Sequence, residues 1–358
     1  MKTFAGAILA VWIAGCAGAS TTPSPLAATV AFRRPHLRPA YWLVYSFNGG
    51  ESGRDPHAGP LVGVDGTLYG TTVYGGGRCH NRCFGGTVFA IATPARERVL
   101  HSFKGIPNDG KNPRAGLIDV AGTLYGTTIR GGVSSCYCGT VFKLTLPGVE
   151  TVLHSFGGEP DGSDPDAGLL AVNGALYGTT FNGGTTDEGT VFAIAPSGAE
   201  SVLYSFKGGP EDGAYPTQAD LVDVNGTLYG MTKWGGTNDR GTLFSIMTSG
   251  SERLLHSFGG PGDGLFPYGG LLDVNGTLYG TTSNGGSISC GLRYGGIPGC
   301  GTVFKATTSG AESVLHSFGA FGDGEYPYAG LVDVNGLLYG TTTAGGMKDA
   351  GTVFAVSP

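Results

Sequence analysis

Short apolar segments alternate with glycine-rich segments along the chain from Tyr45 to its last residue. The apolar segments are bounded by turn-forming residues, as β-strands are. The pattern occurs six times, and each copy roughly combines Ser-Phe, Ala-Gly-Leu, a Leu-Tyr-Gly-Thr-Thr core and Gly-Thr-Val-Phe. The cores lie 50 to 60 residues apart, which is the length of a small sheet rather than of a solenoid rung. Their tyrosines are Tyr69, Tyr125, Tyr177, Tyr229, Tyr279 and Tyr339.

Four strands are predicted in each copy, and the last copy illustrates them. Residues 329–334 form the first strand, Asn335-Gly336 the turn, and 338–342 the second strand. The third strand covers 351–356, and residues 312–318 represent the fourth. Asn-Gly tolerates the positive φ angles of a two-residue type I′ turn, so the first two strands should pair as a hairpin. Equivalent dipeptides begin at Asp65, Asn173, Asn225 and Asn275.

This pattern predicts an all-β fold, specifically a six-bladed β-propeller of four-stranded antiparallel blades. The last copy ends after its third strand, while a further strand is predicted at residues 41–47. We expect this N-terminal strand to complete the last blade, because ring closure removes a sheet edge that would otherwise stay exposed. An open stack of hairpin sheets is the alternative, since repetition alone does not prove closure.

Composition supports the β fold and excludes one class of partner. Glycine contributes 68 of 358 residues and charged residues only 13%, so turns are frequent and charged helix surfaces are scarce. The apolar share of 40% is sufficient for a buried core. A net charge of -6 provides no basic surface for phosphates, so nucleic acid is not expected as a partner.

The first residues have the pattern of an export signal. Residues 1–15 contain one lysine followed by an apolar stretch that is too short to span a bilayer. The segment Ile13-Ala14-Gly15-Cys16 resembles the lipobox of bacterial lipoproteins, which implies lipidation of Cys16. Residues 16–40 then form a flexible tether, and the repeat domain covers 41–358. We therefore expect an exported, lipid-anchored protein of the cell envelope, at the outer membrane or the periplasmic face.

The cysteines are consistent with an oxidising compartment. With Cys16 assigned to lipid, an even number of cysteines remains, and disulfides are expected. Cys290 with Cys300 is the favoured pair. Self-pairing of Cys136 with Cys138 is awkward on an extended strand, so we expect pairing between the loops of the first two copies. A metal site at these cysteines is the less favoured alternative. The six are Cys79, Cys83, Cys136, Cys138, Cys290 and Cys300.

The repeat resembles the GloVer tandem repeat of choice-of-anchor bacterial surface proteins. The third copy carries this resemblance in its segments 168–170, 176–180, 189–192 and 203–206. The similarity covers nearly all of residues 41–358 and implies an exported protein whose anchor varies between members. It implies no biochemical activity and transfers no catalytic residues to this chain.

Two sets of positions vary among the six copies and are candidate ligand-binding residues. Strand alternation places the loop before the first strand and the loop after the second strand on one face of the disc, where binding residues concentrate. The first variable set precedes the first strand and should surround the mouth of the central channel. It consists of His57, Arg114, Asp166, Gln218, Tyr268 and Tyr328. The second variable set precedes the Gly-Gly pair and consists of Tyr74, Arg130, Asn182, Trp234, Asn284 and Ala344.

Flat rings and forked polar groups around one cavity are suited to a polar organic ligand such as a glycan. We therefore favour a non-enzymatic recognition or surface-scaffold module that binds a carbohydrate or a cell-surface protein, as a monomer and without a cofactor. Neutral drift of exposed loop residues would produce the same variation. The alternative function is a hydrolase or lyase acting on extracellular polysaccharide, with acids such as Asp166, Glu188 or Glu325 acting with His57.

Other recurring residues are interpreted as structural. Histidines recur on the outermost strand, where they should support packing, and Asp-Gly recurs in the first loop, where the aspartate should cap its own turn. Asp161, Asp164 and Asp166 could bind calcium, but their spacing matches no known calcium loop, so no metal is expected. The histidines are His101, His154, His256 and His316. The aspartates are Asp109, Asp161, Asp212, Asp263 and Asp323.

Overall fold

The computed structural model describes residues 43–56, 61–77, 85–92, 96–133, 135–146, 148–195, 197–216, 218, 220–288 and 298–358. The compact unit is Val44–Pro358. Its described residues form β-strands, turns and bends, and none of them belongs to a helix that could cross a bilayer. The expected signal peptide, Cys16 and the tether lie outside the described residues.

Six repeats of sheet structure follow one another along the chain. Repeat 1 contains β1 (Val62–Val64), β2 (Thr67–Thr72), β3 (Thr87–Ala92) and β4 (Arg96–Ser102). Repeat 2 contains β5 (Gly110–Lys111), β6 (Ile118–Val120), β7 (Thr123–Thr128), β8 (Arg130–Gly131), β9 (Thr140–Thr145) and β10 (Val149–Ser155). Repeat 3 contains β11 (Gly162–Ser163), β12 (Leu170–Val172), β13 (Ala175–Thr180), β14 (Asn182–Gly183), β15 (Thr190–Ile194) and β16 (Glu200–Ser205).

The C-terminal half continues the same order. Repeat 4 contains β17 (Gly213–Pro216), β18 (Val222–Val224), β19 (Thr227–Gly235), β20 (Thr242–Met247) and β21 (Glu252–Ser257). Repeat 5 contains β22 (Gly264–Pro267), β23 (Leu272–Val274), β24 (Thr277–Gly285), β25 (Thr302–Thr307) and β26 (Glu312–Ser317). Repeat 6 contains β27 (Gly324–Glu325), β28 (Val332–Val334), β29 (Leu337–Thr342), β30 (Ala344–Gly345) and β31 (Thr352–Val356).

The main strands of each repeat form an antiparallel meander in chain order. The two glycine-rich segments of a repeat also pair with each other, as β5 with β8, β11 with β14, and β27 with β30. In repeats 4 and 5 the same pairing extends the second main strand, so β17 joins β19 and β22 joins β24. Both long segments of a repeat therefore lie at the same end of its sheet.

The predicted type I′ turns are confirmed. In the last repeat Asn335 has φ 55 and Gly336 has φ 80, so both central residues occupy the left-handed region. Repeat 2 makes the same turn with Ala121 at φ 51, although alanine is disfavoured there. The turn therefore follows from the pairing of the first two strands, and Asn-Gly makes that conformation less costly.

The constant Leu-Tyr-Gly-Thr-Thr and Gly-Thr-Val-Phe motifs meet inside each sheet. In repeat 3 the hydroxyls of Thr180 and Thr190 are 2.8 Å apart and buried. A Cβ atom on Gly178 would lie 2.6 Å from Cζ of Phe192, so this position has no room for a side chain. Each repeat contains the equivalent threonine pair. The motifs are constant because these contacts recur in every sheet.

Neighbouring repeats share an aromatic contact across their interface. The ring of Phe206, at the end of repeat 3, packs edge-on against Phe244 of repeat 4 at 5.1 Å between centroids. Both belong to one buried cluster that spans the two repeats. The first main strands β1, β6, β12, β18 and β23 contact one another in sequence order. Sheets that stack face to face with their first strands along a common axis are the blades of a β-propeller.

The predicted closing strand is not formed over its described residues. Residues 43–48 make no strand pairing, and repeat 6 has a three-stranded main sheet with β31 at its edge. As a result Val353 is 77% exposed, whereas its equivalent Val303 in repeat 5 is fully buried. Phe47 nevertheless packs against Phe89 at 5.0 Å between centroids, as the last phenylalanine of each repeat packs on the next repeat.

The first strands are shorter than predicted. In the last repeat β28 covers Val332–Val334, and residues 329–331 do not pair with β29. The reason is a contact with the neighbouring repeat, because the hydroxyl of Thr281 donates to the carbonyl oxygen of Ala329 at 3.0 Å. Thr127 and Ala167 make the same contact between repeats 2 and 3. The Ala-Gly-Leu segment therefore joins blades rather than extending a strand.

The expectation about Cys136 and Cys138 was wrong. These two residues form a disulfide with each other, and their Cα atoms are 5.2 Å apart. Tyr137 between them has φ 59, so the chain turns back instead of remaining extended. Cys300 is also disulfide-bonded. The prediction that Cys290 is its partner, and the predictions for Cys79 and Cys83, lie outside the described residues.

Candidate functional site

A cavity of about 700 Å³ lies at the start of the first main strands of repeats 2 to 6. The first variable set supplies Arg114, Asp166, Gln218, Tyr268 and Tyr328 to its lining, while His57 lies outside the described residues. Five positions separated by more than 200 residues of sequence therefore converge on one concavity, because each precedes the innermost strand of its blade. That these residues bind a ligand stays a prediction.

A polar network lies across one side of the cavity. The Nε2 amide of Gln218 donates to Oδ2 of Asp166 at 2.8 Å. Nη1 of Arg114 lies 3.8 Å from the same oxygen, so the guanidinium and carboxylate form an ion pair that retains spare donors. Oδ1 of Asp166 is buried and has no hydrogen-bond partner in the described part of the chain.

Two tyrosines form the aromatic part of the cavity lining. The rings of Tyr268 and Tyr328 are perpendicular, with centroids 5.1 Å apart, and the ammonium of Lys233 lies 6.0 Å from the Tyr268 ring. Burial raises the pKa of Tyr268, Asp166 raises it further, and Arg114 opposes the rise. The hydroxyl of Tyr268 therefore remains a donor at neutral pH. Tyr328 is 40% exposed and presents its ring to the solvent.

Asp220 lines the same cavity and was missed by sequence reasoning. Its Oδ1 accepts a hydrogen bond from the backbone N–H of Gly168 at 2.6 Å. Burial by the cavity wall raises the pKa of Asp220, and the bond from Gly168 opposes the rise. Because the residue is also exposed to solvent in the cavity, water moderates the effect of the wall. The sequence does mark this position, because Ala219-Asp220-Leu221 carries a charge where copies 2, 3, 5 and 6 have Ala-Gly-Leu or Gly-Gly-Leu.

The second variable set does not line this cavity, although its residues are described. Arg130 and Asn182 both turn toward Asp164, with which Arg130 forms an ion pair. The Nδ2 amide of Asn182 donates to Oδ2 of Asp164 at 2.9 Å. Asp164 has φ 57 and belongs to the first loop of its repeat. Arg130 therefore contacts the first loop of the next repeat, Asn182 contacts the first loop of its own repeat, and neither lines the cavity.

Two further members of the second variable set contact the first loop of the next repeat or of their own repeat. Trp234 packs edge-on against Phe266 at 4.7 Å, and the guanidinium of Arg54 lies 5.4 Å from the ring of Tyr74. Asn284 is buried. The expectation that both variable sets face one cavity was therefore correct in position for the five described members of the first set and wrong for the second set.

The proposed acids and calcium ligands are separated in the structure. Glu188 and Glu325 do not belong to the cavity lining, so Asp166 does not meet either of them there. Asp161, Asp164 and Asp166 each have a different partner: His154, Arg130 and Gln218. The less favoured calcium hypothesis therefore receives no support from these three residues.

Each repeated histidine contacts the aspartate in the first loop of the next repeat. Nε2 of His154 lies 3.0 Å from Oδ2 of Asp161, which also accepts the backbone N–H of Gly157. Oδ1 of Asp161 accepts the N–H of Gly162 at 2.7 Å, so the aspartate caps its turn as predicted. Although burial opposes it, the hydrogen bonds from His154 and Gly162 hold the pKa of Asp161 below its usual value. Equivalent pairs are His101 with Asp109, His256 with Asp263, and His316 with Asp323.

The interface between repeats 3 and 4 has a tyrosine in place of the histidine. The hydroxyl of Tyr204 donates to Oδ2 of Asp212 at 2.9 Å. Burial raises the pKa of Glu252 in this group to about 7, Asp212 raises it further, and Tyr204 and Lys207 oppose the rise. The folded state therefore favours the protonated form of Glu252 relative to the unfolded chain, where the pKa is 4.5.

This shift predicts a pH-dependent effect of Glu252→Gln. Below about pH 4.5 the carboxyl is protonated in both states, and above about pH 7 the folded wild type must hold a buried carboxylate. The unfolding free energy of the variant minus that of the wild type should therefore increase by about 1 kcal/mol from pH 4 to pH 8. This value allows for the partial exposure of the side chain. Urea denaturation at both values measures this difference, with exposed Glu211→Gln as control. A difference that does not change with pH would contradict the assignment.

Comparison with known proteins identifies the repeat. The family model of the Gloeobacter/Verrucomicrobia repeat matches residues 30–219, 85–294 and 206–358, which confirms the resemblance seen in the sequence. No curated protein sequence matches the chain.

Solved structures that resemble the chain are distant in sequence. A streptogramin B lyase is 15% identical, covers 85% of this chain and 84% of its own, and has a TM-score of 0.50. A luciferin-regenerating enzyme is 14% identical, covers 86% and 93%, and has a TM-score of 0.45. A gluconolactonase from Xanthomonas campestris is 13% identical, covers 76% and 79%, and has a TM-score of 0.40. The first likeness supports the β-propeller fold and nothing about activity.

Proposed function

The chain belongs to the Gloeobacter/Verrucomicrobia repeat family, and from this premise we propose that it is an extracytoplasmic recognition module that binds a carbohydrate at its central cavity. The observation that carries the proposal is the convergence of Arg114, Asp166, Gln218, Tyr268 and Tyr328 on one concavity. Its volume of about 700 Å³ lies within the range of small-molecule sites. A carbohydrate on a cell-surface glycoprotein would meet the same residues.

The chemistry of the lining suits a sugar. Tyr328, which is 40% exposed, offers an aromatic ring for the C–H side of a pyranose, while the exposed carboxyl of Asp220 can accept a hydrogen bond from a hydroxyl. Arg114 and Gln218 retain N–H donors for ring or hydroxyl oxygens after bonding Asp166. The site thus combines one stacking surface with donors and an acceptor, which is the combination that orients a polyhydroxylated ligand.

Variation between the repeats is what such a site requires. Six equivalent blades would present a symmetric ring of identical groups, whereas a sugar has a different group at each edge. An asymmetric ligand can be bound tightly only if the equivalent positions differ in chemistry, as the first variable set does. The constant motifs lie within and between the sheets, so this variation leaves the packing unchanged.

The test is a glycan array probed with the full chain and with Arg114→Ala. We expect the variant to lose about 10- to 100-fold in affinity for any glycan that the wild type binds, because charged hydrogen bonds are lost. Arg253→Ala, which removes an exposed arginine of β21 outside the cavity, is the matched control and should bind normally. An array without hits, or equal binding by Arg114→Ala, would contradict the proposal.

A hydrolase or lyase acting on extracellular polysaccharide is the second candidate. It is favoured by one observation, namely that Asp166 and Asp220 line the same cavity in different surroundings. Two carboxyl groups in unlike environments can divide acid and base roles. Incubation of a bound glycan followed by product analysis separates the candidates. Turnover that Asp220→Asn abolishes while binding persists would replace the recognition module by an enzyme.

The closed six-bladed ring is part of the proposal. Its support is the contact of Phe47 with Phe89. This contact has the same geometry as the contact between Phe206 and Phe244 at the interface between repeats 3 and 4. In a closed ring residues 41–47 would pair with β31 and cover Val353, as the fourth strand and the following blade cover Val303 in repeat 5.

We further propose that a lipid on Cys16 anchors the monomeric protein to the cell envelope, at the outer membrane or the periplasmic face. Cys16→Ser should therefore move the protein from the membrane fraction to the soluble fraction in cell fractionation. The matched variant Ser20→Ala, in the same segment, should leave it in the membrane fraction. Membrane retention of Cys16→Ser would contradict the anchor without affecting the cavity proposal.

A further inference from the structure

Among the described residues, three interfaces between consecutive repeats contain a cluster of one histidine, one aspartate and one glutamate, and we call these the interface clusters. In each cluster one ligand atom from every residue lies within 4.8 Å of the others. The histidine comes from the fourth strand of one repeat, and the glutamate comes from the fourth strand of the next. The clusters are His101, Asp109 and Glu150; His154, Asp161 and Glu200; and His256, Asp263 and Glu312.

A β-bulge in each fourth strand produces this arrangement. In repeat 4, Glu252 pairs with Ile246 and His256 pairs with Leu243, and the register shifts between Leu243 and Phe244. Without the shift, residues four apart would point to the same face of the sheet. Because of it, the glutamate faces the preceding repeat and the histidine faces the following repeat. Each fourth strand can therefore contribute to two interfaces.

The cluster between repeats 4 and 5 places two carboxyl groups beside one imidazole. Nε2 of His256 lies 3.0 Å from Oδ2 of Asp263 and 4.0 Å from Oε2 of Glu312. The side chain of Glu312 is only 8% exposed, and its Oε1 finds no hydrogen-bond partner among the described residues. A buried carboxyl with an unpaired oxygen needs a proton or a cation nearby.

We propose that the cluster of His256, Asp263 and Glu312 binds a divalent transition-metal ion such as Zn²⁺, and that the other two interface clusters bind the same ion. One imidazole nitrogen and two carboxylate oxygens are a donor set that such ions accept, with a fourth position left for water. The ion would join two blades at each site. This inference is independent of the carbohydrate proposal, because the interface clusters do not line the central cavity.

The surroundings of the cluster suit a metal ligand. The donor atoms of a tetrahedral zinc site are about 3.3 Å apart for bonds of about 2.0 Å, so small side-chain shifts would complete the coordination. The backbone N–H groups of Gly259 and Gly264 donate to Asp263 at 3.0 and 2.6 Å. These bonds fix the orientation of the carboxylate, as the outer hydrogen bonds of known metal sites do.

The chain contains its own control at the interface between repeats 3 and 4. Tyr204 occupies the histidine position there, beside Asp212 and Glu252. Burial, and then the hydrogen bond to Asp212, raise the pKa of Tyr204 so far that its hydroxyl stays protonated. A protonated phenol is a poor metal ligand, so this interface should bind no ion. It also shows that tyrosine is accepted at this position of the fold.

The experiment measures zinc bound to the full chain by equilibrium dialysis and elemental analysis. The variant His256→Tyr copies the natural Tyr204 interface, so we expect it to fold and to bind one zinc ion fewer than the wild type. The reverse variant Tyr204→His completes the donor set with Asp212 and Glu252, and we expect one ion more. Cobalt substitution should give a visible d–d absorption band that decreases in His256→Tyr and increases in Tyr204→His.

Two outcomes would overturn the inference. If the wild type binds no zinc, the buried glutamate of each interface cluster is neutralised by a proton and not by a metal ion. If all three proteins bind the same number of ions, the metal is held elsewhere in the chain. Should His256→Tyr fail to fold, Tyr204→His still decides, because a gain of one ion requires a site at the interface between repeats 3 and 4.

Discussion

Deletion of residues 41–47 is expected to lower the free energy of unfolding by about 1 to 3 kcal/mol, because it removes the apolar contact of the half-buried Phe47 side chain. The deletion removes Phe47 from Phe89 and removes the Tyr45 hydroxyl that hydrogen-bonds Glu97. In a closed ring it also leaves β31 without its outer neighbour. Thermal and urea denaturation of the full chain and the deletion variant measure the loss.

The matched control deletes residues 20–26, an equally long piece of the tether outside the repeats, and should leave stability unchanged. Equal stability of the 41–47 deletion and the wild type would contradict closure by this segment. A direct test follows from repeat 5, where Ser313 pairs with Lys305. By equivalence Trp42 would pair with Ala355, so a Trp42→Cys and Ala355→Cys double variant should form a cross-link that peptide mapping detects.

Gly178→Ala is expected to destabilise the protein by about 2 to 3 kcal/mol through overpacking. Its Cβ would lie 2.6 Å from Cζ of Phe192 and 3.1 Å from Cδ2 of Leu169. Phe192 cannot retreat, because it is fully buried and packs against Phe156 of the preceding repeat at 5.1 Å. The strain therefore affects both the sheet and the interface between repeats 2 and 3.

Gly63→Ala is the matched control for this substitution. Gly63 also lies within a strand, but a Cβ there would have no atom within 4 Å among the described residues. We expect its unfolding free energy to stay within about 0.5 kcal/mol of the wild type. Urea denaturation of both variants gives the comparison. Similar stabilities for Gly178→Ala and Gly63→Ala would show that the constant glycine is not required by packing.

The strands and turns were predictable because their signals are local. Leu-Tyr-Gly-Thr-Thr and Gly-Thr-Val-Phe are short apolar runs between turn residues, and Asn335-Gly336 specifies its own backbone geometry. The first variable set was also predictable in position, because residues at equivalent points of a repeated scaffold must surround its axis. Arg114 and Tyr328 share a cavity although 214 positions separate them in sequence.

Other features depend on contacts that no local pattern encodes. Asp220 was overlooked because a single substitution in Ala-Gly-Leu looks like drift until the cavity places it beside Asp166. Cys136 and Cys138 pair because Tyr137 adopts a left-handed conformation, which the sequence does not announce. The second variable set was misplaced because its side chains contact the first loop of their own or the next repeat, as Arg130 contacts Asp164.

By itself the sequence determined the repeat, most of its strands and the family, because each is marked by short motifs that recur along the chain. The tertiary structure decided which side chains meet across blades. A one-residue bulge sends His256 and Glu252 to opposite faces of β21, and so assigns them to different interfaces. Such assignments depend on the register between strands and on the neighbouring sheet, and a shift of one residue reverses every side chain on a strand.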